Sequence, residues 1–333
     1  MIPSMTLPKR RFQSVAISEI GLGTWQLGGT DWGTISEESA FAILQAYLDQ
    51  GGNFIDTADV YGSGISEQTI GRFLDAHPAE VYVATKLGRR SDNGFGWPQN
   101  FTYDAMCRQV EASLQRLKTD QLFLEQLHCI PTDELQKGAV FDHLRRLQDE
   151  KLIRYWGVSV ETADEALLCL KQEGLASLQI IFNLFRQHIA DDVFRLAEEK
   201  GVALIVRVPL ASGLLTGKFS PQTQFAQSDH RHYNANGEAF NVGETFSGID
   251  FQTGIDLTHK IARHLPDDRL AQWAIRWILD HPAVTTVIPG ATKVSQVTSN
   301  GEAAGLPSLP PETHRALREL YDADIKEQIR GRY

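Results

Sequence analysis

The stretch that decides the fold is NFIDTADVY, residues 53–61, in which a short apolar run ends at Asp56 and Tyr61 follows five residues later. Two further runs also end in polar residues: VYVAT precedes Lys86, and LFLEQL precedes His128. Short β-rich runs that alternate with stretches of helical period are typical of repeated βα units. In a closed parallel barrel the carboxyl ends of the strands meet at one rim, where active sites form. We therefore expect these four polar residues to lie together.

The rest of the chain continues the alternation. Strands are expected at about 20–24, 53–56, 81–86, 122–128, 155–159, 178–183, 202–208 and 284–288. Helices are expected at about 39–49, 67–74, 103–117, 133–150, 163–172, 190–200, 268–281, 293–300 and 311–328. Residues 10–17 are interpreted as a short strand before the first unit. This order predicts an α/β fold, a (β/α)8 TIM barrel with an N-terminal β-hairpin or strand cap, long rim loops and a C-terminal helix. No linker divides the chain, so we expect one domain over residues 1–333.

Two segments are too long to be simple connections. They are residues 88–101, after the third strand, and residues 211–254, after the seventh. Long loops in compact domains are commonly lids or binding loops. Both follow strands, so we expect both at the rim that carries the four polar residues.

Composition excludes several classes of protein. Of the 333 residues 42% are hydrophobic, the mean hydropathy is −0.25, and no apolar stretch reaches the roughly 18 residues of a membrane helix. The N-terminus lacks the hydrophobic core of a signal peptide, and three cysteines without metal-ligand spacing favour a reducing, cytoplasmic setting with no metal. A net charge of −10 argues against a nucleic-acid partner but not against a phosphorylated cofactor in a locally basic pocket.

The four polar residues form a set that can deliver a proton. A free tyrosine has a pKa of about 10, and a nearby ammonium such as that of Lys86 favours the phenolate. The carboxylate of Asp56 can hold that ammonium, and the imidazole of His128 can orient a carbonyl oxygen near Tyr61. The set supplies no electrons, so a reduction needs a cofactor that brings hydride. Each residue alone could instead be an ordinary ion-paired or hydrogen-bonded rim residue; the joint pattern favours catalysis.

Two segments favour a bound phosphate. PLASGLLTGK, residues 209–218, follows the seventh strand, and IPGATK, residues 288–293, follows the eighth and opens a helix. The loops after these two strands, at a helix N-terminus, are the usual phosphate site of a barrel. Their glycines could also be plain turn residues. Their occurrence in this pair of loops favours phosphate binding.

With these motifs in place, the sequence resembles the aldo-keto reductase family, in its bacterial branch related to potassium-channel β subunits. The matching segments, in family order, are GLGTW (21–25), FIDTADVYG (54–62), SE (66–67), ATK (84–86), QLH (126–128), GVS (157–159), 209–218 and IPG (288–290). The resemblance implies a barrel that binds NADPH (or NADP⁺) without a Rossmann domain and reduces a small-molecule aldehyde or ketone. It implies no nucleic-acid or membrane partner, and it leaves monomer and homo-oligomer both open.

The resemblance also assigns roles. Tyr61 matches the general acid, Lys86 and Asp56 the pair that tunes it, and His128 the group that orients the carbonyl. Implied cofactor contacts at the nicotinamide end are Gly23, Thr24, Trp25, Asp56, Ser159, Gln179 and Arg207. Those of the pyrophosphate loop are Pro209, Leu210, Gly213, Leu215 and Lys218. Those of the adenosine end are Ile288, Gly290, Ala291, Thr292, Lys293, Gln296 and Asn300.

The chain departs from the family pattern at two positions. Val160 stands where the family commonly has an asparagine that binds the carboxamide, and Arg207 stands where an aromatic residue commonly stacks on the nicotinamide. A guanidinium is planar and can stack, so we expect Arg207 to cover the nicotinamide and favour NADPH over NADP⁺. The alternative is that Arg207 pairs with an acidic rim residue.

Two other functions remain open from the sequence. One is a regulatory partner protein like the channel β subunits, which share the barrel and the four polar residues. The other is a barrel isomerase or lyase in which Lys86 forms a Schiff base with its substrate and needs no nicotinamide.

Overall fold

The computed structural model describes residues 6–29, 31–33, 35–90 and 99–333, and a ring of eight parallel strands lies at its centre. The strands are β1 (Lys9–Phe12), β2 (Val15–Ser18), β3 (Leu22–Gly23), β4 (Phe54–Asp56), β5 (Tyr82–Leu87), β6 (Leu122–His128), β7 (Ile153–Ser159), β8 (Ser177–Ile181), β9 (Ala203–Arg207) and β10 (Val284–Val287). Strands β3 to β10 follow one another around the ring in chain order. The ring closes through parallel bridges from Ile20 to Val287 and from Gly23 to Gly290. The barrel expected from the sequence is confirmed.

Helices pack around the barrel between successive strands. They are α1 (Glu37–Asp49), α2 (Ile65–Ala76), α3 (Tyr103–Leu117), α4 (Thr132–Lys137), α5 (Ala139–Asp149), α6 (Ala163–Cys169), α7 (Arg195–Lys200), α8 (His230–Tyr233), α9 (Phe251–Ala262), α10 (Leu270–Leu279), α11 (Val294–Glu302) and α12 (Pro311–Leu320). Several begin at a side chain that accepts a backbone N–H of the first turn, as Thr102 does from Ala105 before α3. None of the described helices is long and apolar enough to cross a membrane.

An antiparallel hairpin covers the bottom of the barrel. Strands β1 and β2 pair from Lys9 with Ser18 to Phe12 with Val15. The β-hairpin among the two expected alternatives is therefore confirmed, and the single strand expected at 10–17 is wrong. Gln13 turns the chain with a φ of 49°, which an extended strand does not allow. Phe12 is fully buried, and its ring lies 5.4 Å from that of Phe123. The hairpin closes one end of the barrel, and the site lies at the other.

Four other expectations about helices need correction. The helix expected at 133–150 is divided into α4 and α5 at Gly138, which has a φ of 82°. The segments expected at 190–200 and 311–328 each contain a wide turn, Ala190–Phe194 and Tyr321–Ile325. Helix α9 was not expected at all, because its sequence begins inside the segment interpreted as a loop. Of the loop 88–101, residues 91–98 lie outside the described residues.

Candidate active site

The alternation of side chains along the strands brings the polar set into the barrel. Phe54 and Ala84 point into its lower interior, so Asp56 and Lys86, two residues further along, point into its upper interior. His128 ends β6 opposite Ser159 of β7. All four sequence-predicted polar residues therefore meet at the carboxyl ends of the strands, as expected.

Lys86 is at the centre of the polar set. Its Nζ donates to Asp56 Oδ1 at 2.5 Å, to the carbonyl oxygen of Thr57 at 2.7 Å and to Tyr61 Oη at 3.3 Å. The side chain is fully buried. Burial lowers the pKa of Lys86, but the charge of Asp56 and the contact with Tyr61 outweigh burial, so the net pKa is raised. Lys86 is therefore a cation at neutral pH.

Two glutamines hold the second oxygen of Asp56. Gln179 Nε2 donates to Oδ2 at 2.7 Å, and Gln126 Nε2 donates to it at 3.3 Å. Gln126 was not among the sequence-predicted site residues, although it precedes His128 by two positions and alternation places it on the same face. The carboxylate is thus bonded by three nitrogen donors, which fixes the position of the ammonium that it holds.

A close contact between two loops positions Tyr61. A Cβ on Gly62, which has a φ of 57°, would lie 1.1 Å from the carbonyl oxygen of Gly28. A Cβ on Gly28 would lie 2.6 Å from the carbonyl carbon of Tyr61. Only glycines allow this approach, and it brings the ring of Tyr61 into a stack with Trp25 at 5.9 Å and 17°.

The protonation states of Tyr61 and His128 follow from burial. Burial raises the pKa of Tyr61; Lys86 opposes this effect without cancelling it, so the expected net shift towards the phenolate is corrected. Burial lowers the pKa of His128 well below its usual range, and the cations Arg89, Lys86 and Arg207 lower it further. The imidazole is neutral, lies perpendicular to Tyr61 at 5.8 Å, and has a buried Nδ1 without a hydrogen-bond partner.

A cleft of about 1100 Å³ runs from Tyr61 and His128 to the start of α11. Most of the sequence-predicted cofactor residues line it: Gly23, Thr24, Trp25, Asp56, Gln179, Arg207, Pro209, Leu210, Gly213, Lys218, Ile288, Gly290, Ala291, Thr292, Gln296 and Asn300. Three do not line it. Ser159 is buried beneath Gln179, Leu215 lies in the apolar core, and Lys293 is exposed at the start of α11. Lys86 lies under Tyr61 and does not line the cleft either.

The start of α11 differs from the expectation of free backbone donors. Gln296 Oε1 accepts from the N–H groups of Thr292 at 2.7 Å and of Lys293 at 3.2 Å. The helix thus caps itself with a side chain from its own first turn. A phosphate can use these two donors only if Gln296 moves away, which sequence spacing did not reveal.

Arg207 is held by other residues at the end of β9. It forms an ion pair with Glu244, and its Nη2 donates to the carbonyl oxygen of Val160 at 3.0 Å. This is the ion-pair alternative, although Arg207 also lines the cleft. Stacking on a nicotinamide stays a prediction. The two unusual residues of this chain, at positions 160 and 207, are in direct contact.

One group of potential metal ligands occurs within the described residues. Cys129, Glu161 and Glu244 have ligand atoms within 4.8 Å of one another. The two carboxylates are already paired, Glu161 with Arg89 and Glu244 with Arg207. A cation would compete with two guanidinium groups, so we assign no metal to this group.

Sequence reasoning missed the roof of the cleft. Asp31 accepts from Trp25 Nε1 at 3.0 Å and from Tyr233 Oη at 2.8 Å, which joins the loop after β3 to the long loop after β9. Further lining residues that were not expected are Trp32, Arg89, Phe219, Arg231, Phe240, Glu244, Arg269, Gln272 and Ser299. The length of the loop 211–254 indicated a binding role, but no local signal identified its contacts.

Comparisons with known proteins agree with this geometry. Residues 19–322 match the model of the Aldo/keto reductase family. The chain is 30% identical over 316 residues to the uncharacterized oxidoreductase YqkF of Bacillus subtilis, with 95% of this chain and 96% of the relative covered. It is 29% identical to a probable voltage-gated potassium channel subunit beta of Oryza sativa, with 89% and 90% covered.

Solved structures show the same fold. The holo form of aldo-keto reductase AKR11C1 from Bacillus halodurans superposes with a TM-score of 0.77 at 28% identity, with 98% of this chain and 100% of the other covered. The glycerol dehydrogenase AKR11B4 from Gluconobacter oxydans superposes with a TM-score of 0.78 at 29% identity, with 100% and 99% covered.

Proposed function

The chain belongs to the aldo/keto reductase family of oxidoreductases, and on that premise we propose that it uses NADPH to reduce an aldehyde or ketone to an alcohol. The observation that carries the proposal is the hydrogen-bonded chain from Asp56 through Lys86 to the hydroxyl of Tyr61, beside His128 on the cleft wall. NADPH, when bound, supplies the hydride that the carbonyl carbon accepts and leaves as NADP⁺. The protein supplies the proton for the carbonyl oxygen.

Tyr61 is the proton donor. Its raised pKa keeps the hydroxyl protonated at neutral pH, so the proton is present when a carbonyl oxygen arrives. After transfer the phenolate lies 3.3 Å from the ammonium of Lys86, which stabilises the new negative charge. Asp56 keeps that ammonium in place. A proton from solvent then restores the hydroxyl.

His128 orients the carbonyl. Because its pKa is far below neutrality, the imidazole carries one N–H and one bare nitrogen, so it can donate a single hydrogen bond to the carbonyl oxygen. The perpendicular arrangement with Tyr61 places both donors on one wall of the cleft. An oxygen held between them meets two donors in a region with little water.

The residues of the cleft fit a dinucleotide. The cleft has a volume of about 1100 Å³, with the polar set at one end and the start of α11 at the other. Gln26 Oε1 is buried in its wall without a partner, and a Cβ on Gly290 would lie 2.1 Å from that atom. An unsatisfied buried acceptor beside a glycine suits the close approach of a ligand. The name of one relative, the aldo-keto reductase yakc [NADP(+)] of Schizosaccharomyces pombe, includes this cofactor, which supports the proposal.

We propose a preference for NADPH over NADH that depends on cations near the start of α11. Lys293 is exposed there, and Arg269 lines the adjacent part of the cleft. Lys293→Glu should weaken NADPH binding by about tenfold or more and NADH binding much less, because only NADPH carries a 2′-phosphate. Fluorescence titration with both cofactors measures the ratio. Equal losses for the two would show that Lys293 does not bind the phosphate.

Tyr61→Phe tests the proposed reaction. The variant keeps the ring that stacks on Trp25 and loses only the hydroxyl, so NADPH should bind as before. Single-turnover reduction of a reactive aldehyde should slow by about 10²–10⁴-fold, the usual contribution of a positioned acid. Turnover close to that of the unmodified protein, under conditions where chemistry limits the rate, would exclude Tyr61 as the proton donor.

The wider setting is proposed on the same basis. We infer a single domain over residues 1–333 that acts in the cytoplasm on a small-molecule carbonyl, with no nucleic-acid or membrane partner, as a monomer or homo-oligomer. A Schiff-base role for Lys86 is not supported, because its ammonium is fully buried and engaged by three oxygens. A screen of aldehydes, diketones and sugars by loss of NADPH absorbance would identify the substrate.

A further inference from the structure

Charged side chains form one wall of the cleft beside Tyr61 and His128. Arg89, which follows β5, and Arg207, which ends β9, both line the cleft, as does Glu244 from the long loop after β9. A wall built only for a neutral aldehyde would need a few polar groups and otherwise apolar side chains. The charges of this wall therefore indicate which class of substrate the cleft binds.

The charges in this wall do not balance. Arg207 pairs with Glu244, and Arg89 Nη2 lies 3.0 Å from Glu161 Oε1. Behind them lies a third guanidinium, that of Arg186, which donates to the backbone oxygen of Glu161 at 3.3 Å. Among the residues that the structure describes, three guanidinium groups thus lie beside two carboxylates, while Asp56 is already paired with Lys86.

The surplus positive charge is buried and incompletely bonded. Arg186 is 3% exposed, and neither its Nη1 nor Arg207 Nε has a hydrogen-bond partner within the described residues. The pKa of Arg186 falls to about 10 through burial and the nearby Arg207, so it remains cationic at neutral pH. Arg186 shares the charge of Glu244 with Arg207. A buried cation with an unsatisfied donor is costly, and a ligand anion would lower that cost.

The positive field reaches the position of the reacting carbonyl. After burial, the groups that lower the pKa of His128 are all cations, two of them the guanidinium groups of Arg89 and Arg207. Arg89 is also the most accessible cation of the wall, since 21% of its side chain is exposed against 9% for Arg207. Glu244 is held by Arg207 and is likewise only 9% exposed.

We propose that the carbonyl substrate carries an anionic group, a carboxylate or a phosphate, which binds Arg89 in the field of Arg186 and Arg207 while its carbonyl meets Tyr61 and His128. The proposal rests on the proposed function and names its substrate class. A guanidinium matches either anion through two parallel N–H donors. A bound carboxylate would bring the described charges of the wall to three positive and three negative, and a phosphate would add a second negative charge.

Matched substrate pairs test the proposal. With NADPH in excess, kcat/KM for 4-carboxybenzaldehyde should exceed that for the neutral 4-carbamoylbenzaldehyde by about tenfold or more, the effect of one charge-assisted contact. Glyceraldehyde 3-phosphate compared with glyceraldehyde gives the same test for phosphate, and the larger ratio identifies the anion. Ratios of one or less in both pairs, with turnover present, would overturn the proposal and leave the reductase function standing.

Variants assign the effect to Arg89. Arg89→Gln should bring both kcat/KM ratios, anionic over neutral substrate, close to one. Arg89→Lys keeps the positive charge but loses the two parallel N–H donors of the guanidinium, so it should retain part of the preference for the anionic substrate. Arg195→Gln removes a cation from an exposed ion pair on α7, outside the cleft, and should leave the ratios unchanged. If Arg89→Gln slows both members of each pair equally, the residue does not select the anion.

A binding measurement separates the two proposals. Benzoate should bind the NADPH-loaded protein about tenfold more tightly than benzamide by calorimetry, and Arg89→Gln should abolish the difference. If benzoate binds in this way but no carbonyl compound is reduced, the reductase function fails and the anion site stands. If benzoate and benzamide bind alike, the anion site fails whatever the turnover.

Discussion

Two sets of charged side chains are buried on opposite faces of the same two strands. In the parallel register of β5 and β6, Lys86 lies beside Gln126 inside the barrel, and Thr85 lies beside Glu125 against the helices outside it. The inner set is fully bonded, since Lys86 and the carboxylate of Asp56 satisfy each other and have further partners. The outer set is not.

The outer set contains more acid than it can neutralise. Glu67 of α2 accepts from Thr85 at 2.5 Å and pairs with Arg116 of α3 at 2.6 Å. Asp59 and Glu125 are 1% and 0% exposed, and in the part of the chain that the structure describes none of their carboxyl oxygens has a hydrogen-bond partner. Burial, then the charge of Glu67, raises the pKa of Asp59 to about 8.

Equal burial therefore goes with different bonding. The inner carboxylate of Asp56 is held by three nitrogen donors, and the outer carboxyls of Asp59 and Glu125 are held largely protonated because donors are missing. Burial, with Asp59 as the next cause, also raises the pKa of Glu125 well above its usual range. The inner and outer carboxyl groups therefore differ in their hydrogen-bond donors and not in how deeply they are buried.

Breaking the inner pair should have the largest effect. Lys86→Met leaves Asp56 buried beside two amides without its cation, so the free energy of unfolding should fall by about 3–5 kcal/mol. Urea titration at pH 7 measures it. The double variant Lys86→Met/Asp56→Asn should recover much of the stability but none of the reductase activity. If Lys86→Met is as stable as the unmodified protein, the pair contributes no stability.

Removing an outer carboxyl group should raise the free energy of unfolding, where breaking the inner pair lowers it. Because the pKa of Asp59 is raised in the folded protein, its contribution to stability is complete below about pH 4 and is lost as the pH rises through about 8. Asp59→Asn should therefore be more stable than the unmodified protein, by on the order of 2–4 kcal/mol at pH 8.5 and much less at pH 5. Urea titrations at both pH values measure the difference.

A surface carboxyl provides the control for this prediction. Asp75 is 60% exposed on α2 and pairs with Lys118, so Asp75→Asn should change stability by less than about 1 kcal/mol at either pH. If Asp59→Asn instead destabilises the protein at pH 8.5, the prediction fails, because the ionised carboxylate of Asp59 must then have a stabilising partner within the folded protein.

Weakening the inner network without breaking it should have the smallest effect. Gln126→Leu removes the longer of the two amide bonds to Asp56, at 3.3 Å, and keeps that of Gln179. We expect a loss of about 1 kcal/mol in stability and a severalfold loss in kcat. Stopped-flow turnover and urea titration measure both. A loss as large as that of Lys86→Met would mean that Gln126, more than Lys86, holds Asp56.

Elements with a strong local pattern were predictable. Strand β6 and helix α3 have the bounds expected from the sequence, because an uninterrupted β-rich run and a clear 3.6-residue period are local signals. The first barrel strand, expected at 20–24, is reduced to Leu22–Gly23; two of the five expected residues, Gly21 and Gly23, are glycines, which weaken a strand. The hairpin turn at Gln13 was missed because no glycine or proline marks it.

The candidate site was likewise predictable only where a local signal marks its residues. Asp56, Lys86 and His128 were found because each ends a strand, and the barrel brings strand ends together. The hydrogen bonds behind them were not found: Gln179 was expected at the nicotinamide, and its bond to Asp56 spans 123 positions of sequence. The pair of Asp31 and Tyr233 spans 202 positions, and nothing local to either residue indicates the other.

The sequence by itself determined that this chain forms a barrel and which four polar residues meet at one rim, where we place the candidate site. Only the tertiary structure decided the ion pair of Arg207 with Glu244, the self-capping of α11 by Gln296, and the raised pKa of the buried Asp59 carboxyl. The physical reason is that periodicity and strand ends depend on neighbours in the chain. Charge state depends on burial and on donors that come from distant strands and loops.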